Sequence, residues 1–178
     1  MNKVSCILIQ ARVNSSRFPF KVLYYIDRLP SIVYQYKRIS SAIKLPIYVL
    51  IPDDKKNDIL ADCLKNFEIP FFRGSLNNVY KRFMSFLVQK NFIYCFRINA
   101  DCPLISPSTI IDLINFSEKI DSQFDYISTV MDSSFPVGEH VEFFKVEQFL
   151  KNYDLACKEE ENLEHVTPIF YKNKNLFK

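Results

Sequence analysis

Arg12, Ser15, Ser16, Arg17 and Lys21 crowd one short stretch of a 178-residue chain and bring three cations and two hydroxyls together. The stretch follows Val4-Ser5-Cys6-Ile7-Leu8-Ile9, an apolar run of strand length. The cations therefore fall in the loop leaving the carboxyl end of a first buried strand, where open α/β sheets bind ligands. Guanidinium and ammonium groups converging there, with backbone N–H groups exposed by the turn, suit a polyphosphate. Basic loop residues are also commonly solvated, and Ser15-Ser16 also suits a plain turn, so spacing alone leaves both uses open.

A second candidate lies at the end of Ile93-Tyr94-Cys95-Phe96-Arg97-Ile98-Asn99, which runs into Ala100-Asp101-Cys102-Pro103. Strand alternation sends Arg97, Asn99 and Asp101 to one side. A carboxylate at that edge, beside a cationic loop, is where a hard divalent cation would bridge protein and phosphate oxygens. Asp101 could equally shape the turn before Pro103. Arg73-Gly74-Ser75 follows Ile69-Pro70-Phe71-Phe72 and opens a helix, so it either presents an anion site or makes a glycine turn with a serine cap. Glu142, on His140-Val141-Glu142-Phe143-Phe144, is an outward-facing surface residue or a site residue, and periodicity does not choose. His140 and His165 are the two histidines; a lone histidine is commonly structural, with Glu164 a local partner for His165.

The elements that position these residues alternate. Strands are expected near residues 4–10, 46–51, 69–72, 93–99, 124–130 and 140–144. Helices fill the gaps: Ser31 to Ile43 after Pro30; a helix capped by Asp53-Asp54 with Ile59, Leu60, Cys63 and Leu64 as its stripe; Leu76 to Lys90; Pro107 to Ile120; and a helical region from Val146. Such alternation gives βαβ units, a largely parallel sheet and one α/β domain over residues 1–178.

Composition narrows the function classes. Apolar residues make up 48% of the chain and aromatics 15%, which is a packed protein rather than a disordered one. The 23 basic and 20 acidic residues leave a net charge of +3, too small an excess to point to nucleic acid. Five cysteines without a C-x-x-C pair fit reduced thiols in a cytoplasm better than a disulfide framework or a zinc site. No apolar run approaches membrane-spanning length, and no signal-peptide pattern precedes the first strand. With two glycines in the chain, Asn, Ser and Asp are expected to take over much of glycine's work in loops.

Several ordered segments together resemble a known family. Ile9-Gln10-Ala11-Arg12 with Ser15-Ser16-Arg17, Pro19 and Lys21-Val22-Leu23 is similar to the opening of cytidylyltransferases of the spore coat polysaccharide biosynthesis protein F type. These are relatives of the CMP-KDO and CMP-sialic acid synthetases. Phe72-Arg73-Gly74-Ser75 with Val79 and Arg82, Arg97-Ile98 with Asp101-Cys102-Pro103-Leu104-Ile105, Gly138 with Glu142, and Glu164-His165-Val166-Thr167-Pro168 follow in the family's order.

The resemblance implies a nucleotide-diphospho-sugar transferase-like (GT-A-like, Rossmann-like) fold, with helices on both faces of a mostly parallel sheet. It implies transfer of CMP from CTP to an acidic sugar for cell-surface polysaccharide, with Mg2+ held by Asp101. Arg12, Arg17, Lys21 and Asp101 are the catalytic set it suggests. Nucleotide contacts would come from Gln10, Ala11, Arg12, Asn14, Ser15, Ser16, Arg17, Lys21, Arg73 and Asn99, and sugar contacts from Glu142 and His165. A homodimer is compatible with the family, and no membrane insertion is implied.

The chain departs from the family in places. It has Asn14 and Phe20 where glycine is usual, and Asn78 where an acid is usual. Asn tolerates left-handed backbone, whereas Phe20 puts a bulky side chain where close approach to phosphate is expected. Family chains also run on past the Glu-His-Val-Thr-Pro segment into another strand, so a C-terminally shortened domain is expected. A homologue binding nucleotide or a partner without catalysis, or a GT-A-type glycosyltransferase, would carry many of the same features.

Overall fold

The computed structural model describes residues 4–15, 17–120, 123–129 and 135–178. Its framework is a six-stranded sheet built from β1 (Ser5–Gln10), β4 (Ile47–Pro52), β5 (Phe71–Gly74), β6 (Tyr94–Asn99), β7 (Tyr126–Ser128) and β8 (Val141–Lys145). A two-stranded ribbon of β2 (Tyr25–Ile26) and β3 (Leu29–Pro30) stands apart from it. The sheet order is β5-β4-β1-β6-β8-β7, parallel from β5 to β6, with β8 antiparallel to both neighbours. From β1 the chain steps outward to β4 and β5, then returns to place β6 on the other side of β1. The crevice at the carboxyl ends of β1 and β6 is thus the topological switch point.

Both faces of β1 are buried, which is why its sequence is a continuous apolar run rather than an alternating one. Ile7 and Ile9 face a core completed by α1 (Ser31–Ala42), α2 (Asp58–Asn66) and α4 (Pro107–Lys119). Cys6 and Leu8 face the opposite core. There α3 (Val79–Leu87), α5 (Val146–Lys151), α6 (Tyr153–Ala156), α7 (Glu160–His165) and α8 (Pro168–Lys172) supply Phe83, Phe149, Ala156 and Phe170 among others. Helices on both faces of a mostly parallel sheet match the expected fold class.

Local expectations shift in a few places. Asp54 caps a single 3-10 turn, accepting from the Lys56 N–H at 2.9 Å, before α2 begins at Asp58. The buried stripe of α2 is Leu60, Ala61 and Leu64, while Ile59 is exposed. Arg73 and Gly74 end β5 rather than opening a helix; α3 starts at Val79, and Asn78, not Ser75, caps it by accepting from the Lys81 N–H at 2.7 Å. Asn78 thus does the capping work of the acid usual there. The expected strand at 124–130 is Tyr126–Ser128, and residue 130 lies outside the described residues.

The β2–β3 ribbon turns through Asp27 and Arg28, both at positive φ (46° and 66°), as a two-residue hairpin of the strands' own twist requires. Phe20 also has left-handed backbone, φ 58° and ψ 15°, just before the 3-10 turn Lys21–Leu23. The glycine usual at this position is therefore explained by backbone conformation. Phe20 meets it as an exposed residue that does not line the pocket described below, so its side chain does not fill the space where obstruction is expected. Asn14 is not at positive φ; it is held through its side chain instead.

Candidate active site

The loop after β1 is held from below by one residue. Asn57, fully buried, accepts the Val13 N–H at 3.0 Å and donates to the Asn14 and Asp54 side chains at 3.0 and 2.7 Å. The Val13 carbonyl then accepts the N–H groups of Ser15 and Phe20, at 2.9 and 3.0 Å, which folds the loop back on itself. The left-handed turn at Phe20 delivers Lys21 to the crevice, where its Nζ lies 2.8 Å from Asp101 Oδ2.

The loop after β6 is fixed in a similar way. Gln35, fully buried on α1, donates to the carbonyls of Asn99 and Cys102 at 3.0 and 2.9 Å and so sets the turn that presents Asp101. Partial burial pushes the Asp101 carboxyl up, but the hydrogen bond and charge of Lys21 and the Cys102 thiol outweigh it and hold the carboxyl below its usual range. The Cys102 thiol, 3.7 Å away, is pushed up to about 11 by burial and by that same carboxylate, which keeps it a hydrogen-bond donor.

Together these loops line a pocket of about 350 Å3 at the switch point, with Gln10, Ala11, Arg12, Ser15, Arg17 and Lys21 from the first and Asn99 and Asp101 from the second. Glu164 and His165, at the end of α7, close one side, and Arg12 pairs with Glu164 at 3.1 Å. Arg97, Asn99 and Asp101 do share the pocket wall, although β6 ends at Asn99 and the following turn, not strand alternation, carries Asp101 there. Arg12, Arg17 and Lys21, with Asp101 in the same open crevice, give it a donor set of the kind that phosphate oxygens pair with. Among the described residues no three His, Cys, Asp or Glu side chains converge as a self-sufficient metal site. Asp101 is one hard oxygen ligand, which fits Mg2+, an ion commonly held by one or two carboxylates with substrate phosphates.

The cytidylyltransferase family model matches residues 6–178. The chain belongs to the cytidylyltransferase family. It is accordingly a CTP-utilising nucleotidyltransferase. The chain is 31% identical over 172 residues to the uncharacterized protein MJ1063 of Methanocaldococcus jannaschii, covering 96% of this chain and 68% of that protein. Its fold matches a cytidylyltransferase from Leptospira borgpetersenii serovar Hardjo-bovis with a TM-score of 0.90 at 23% identity, over 98% of this chain and 73% of the other. It also matches a CMP:2-keto-3-deoxy-manno-octonic acid synthetase solved with CTP, with a TM-score of 0.72 at 16% identity over 97% and 87% of the two chains.

Not every expected contact of this cytidylyltransferase reaches the pocket. Ser16 lies outside the described residues. Asn14 supports the loop from behind. Arg73 is turned away, donating to the Asp54 carbonyl at 3.0 Å and pairing with Asp58 at 2.7 Å. Arg82 stabilises the neighbouring turn, donating to the Ser75 carbonyl through Nε and Nη2 at 2.9 and 2.7 Å. Its side chain passes so close to Gly74 that a Cβ there would meet Arg82 Cγ at 2.9 Å, so the glycine is a packing requirement. Burial, with the nearby Arg12 charge, lowers the Arg82 guanidinium to about 10 against the opposing pull of Asp53 and Asp54.

Glu142 is the largest correction. It is buried, pairs with Arg97 through one oxygen, and through the other accepts the Tyr126 and Thr167 hydroxyls, both at 2.6 Å. All its acceptors face protein, so it supports the site wall rather than contacting a sugar. Burial and then the Glu142 charge push the Tyr126 phenol strongly upward, keeping it a hydrogen-bond donor.

Thr167 is aimed by a strained turn. Val166, fully buried, sits at φ 75° and ψ −52°, and the Thr167 N–H reaches the His165 carbonyl at 2.9 Å. This is the rare left-handed γ-turn, uncommon above all for a β-branched residue, and it separates His165, facing the pocket, from Thr167, facing the buried network. Sequence reasoning missed Asn57, Gln35 and Tyr126 as supports, since a buried polar side chain inside an element carries no motif; Thr167 was noted only as part of the Glu164–Pro168 segment, with no role of its own.

Proposed function

We propose that the chain transfers CMP from CTP to a hydroxyl of an acidic sugar, in the cytoplasm, for cell-surface polysaccharide. The observation that carries this reading is the convergence of Arg12, Arg17, Lys21 and Asp101 in one crevice at the switch point of a cytidylyltransferase sheet. Arg12, Arg17 and Lys21 bind and orient the triphosphate and offset the negative charge that grows as the α-phosphorus is attacked. Asp101 would hold Mg2+, which when bound supplies further charge neutralisation on the phosphates. The sugar oxygen forms a bond to the α-phosphorus as its hydroxyl proton passes to solvent, the bond from that phosphorus to the α–β bridging oxygen breaks, and pyrophosphate leaves. His165 lines the same pocket, and we assign it to the acceptor side. Its five free cysteines suit a reducing compartment.

The test is pyrophosphate release from CTP across a panel of acidic sugars. The wild-type protein is expected to turn over with at least one of them, and Asp101→Asn to lose release by about a hundredfold or more, as loss of a site charge commonly does. Unchanged release in Asp101→Asn would remove the role given to Asp101. Thermal stabilisation by CTP without turnover on any sugar would instead support a nucleotide-binding homologue.

A further inference from the structure

The Arg97–Glu142 pair has a consequence inside the pocket. Arg97 donates through both Nε and Nη2 to a single atom, Gln10 Oε1, at 3.2 and 2.8 Å. A guanidinium has only donors, so the amide oxygen must face it and the amide nitrogen must face away. Arg97 cannot turn to release Gln10, because Nη1 is bound to Glu142, and Glu142 is in turn held by Tyr126 and Thr167. Among the described residues the Gln10 Nε2 donates to none, and Gln10 lines the pocket beside Arg12.

We infer that the buried Arg97–Glu142 pair locks Gln10 so that its amide NH2 projects into the pocket as a fixed hydrogen-bond donor to an acceptor atom of the nucleotide. A free glutamine could present either its donor or its acceptor end; this one presents the donor end alone. The ligand is taken to be the nucleotide because Gln10 directly precedes the loop carrying Arg12, Arg17 and Lys21 in the same pocket. The inference rests on the CTP reading above. Gln10 is then a binding residue and Arg97 a positioning residue.

Two variants of opposite chemistry separate this from a structural role. Gln10→Glu keeps an acceptor for Arg97 but removes the donor, so its melting temperature is expected to stay at or above wild type. Gln10→Met removes both and brings no charge, so it is expected to melt lower. Equilibrium titration with CTP and Mg2+ is expected to give a Kd raised about tenfold or more in both variants, as the loss of a buried hydrogen-bond donor requires. Loss in Gln10→Met alone would mean that Gln10 merely satisfies Arg97. Loss in Gln10→Glu alone would mean charge repulsion, and no loss in either would leave the donor without a ligand; each of these overturns the inference. A wild-type protein that does not bind CTP would overturn the proposed function itself, which the same titration reveals before any variant is compared.

Discussion

Replacing Glu142 by glutamine tests whether this residue supports the wall or touches a substrate. The substitution leaves Arg97, 6% exposed, without its counter-charge and sets an amide NH2 against guanidinium donors. Removing one partner of a buried ion pair costs about 3–5 kcal/mol. In a chain of this size each kcal/mol lowers the melting temperature by roughly 2–4 °C, so a fall of about 6–20 °C is expected. Glutamine still offers an oxygen to the Tyr126 and Thr167 hydroxyls, so the loss reports the charge rather than the neutral hydrogen bonds. Scanning calorimetry of the purified variant is the measurement. A companion, Arg97→Met with Glu142→Leu and Tyr126→Phe, removes both charges and the phenol together and is expected to melt above Glu142→Gln, because no buried charge is stranded. A shift below about 3 °C in Glu142→Gln, accompanied by lost turnover, would refute the structural assignment and return Glu142 to the substrate.

Two further outcomes follow from the backbone and from the pocket charges. At Phe20 and at Val166, both left-handed, the glycine variant is expected to be more stable than the alanine variant by about 1 kcal/mol, the reverse of the usual order; denaturant melts with alanine ahead at both sites would show that neither backbone is strained. The depressed Asp101 carboxyl adds stability above its ordinary value of 3.8, and that contribution is lost as pH falls through the lower folded value. In Lys21→Met the main opposition to burial is removed and only the weaker hydrogen bonds from the Cys102 thiol and the backbone remain, so NMR titration of the Asp101 carboxyl is expected to move to higher pH, and an unchanged midpoint would break the assigned pairing.

The sheet was legible because parallel strands buried on both faces leave apolar runs, and residues 4–10 and 93–99 bracket β1 and β6 closely. The cationic loop was legible as a cluster because Arg12, Arg17 and Lys21 directly follow a strand-length apolar run, and the structure does bring all three to one pocket. Glu142 was not, since its burial depends on Arg97 of the neighbouring strand, and their pairing is visible only once the antiparallel register is set. The β2–β3 ribbon escaped notice because its turn uses Asp27-Arg28, without the glycine that marks such hairpins. Gln35 and Asn57 look like ordinary helix-surface and cap residues, yet each holds a loop far away in sequence. Asn14 and Phe20 show two ways to replace an expected glycine: one is anchored by its side chain, the other accepts the left-handed backbone.

The pocket's own ion pairs sharpen the case for a polyphosphate. Arg12–Glu164 and Lys21–Asp101 are both partly solvent-exposed, so each pair contributes about 0–1 kcal/mol and gives way readily to a ligand of higher charge. Before then they hold two long, flexible side chains near the crevice, restricting rotamer freedom of up to about 2 kcal/mol per residue that binding would otherwise have to restrict. The buried Arg97–Glu142 pair is the opposite case: it is too costly to break and so cannot exchange partners. The site therefore divides its charges by burial, with exposed pairs poised to exchange for phosphate and a buried pair that fixes Gln10 and the wall against which the nucleotide would lie.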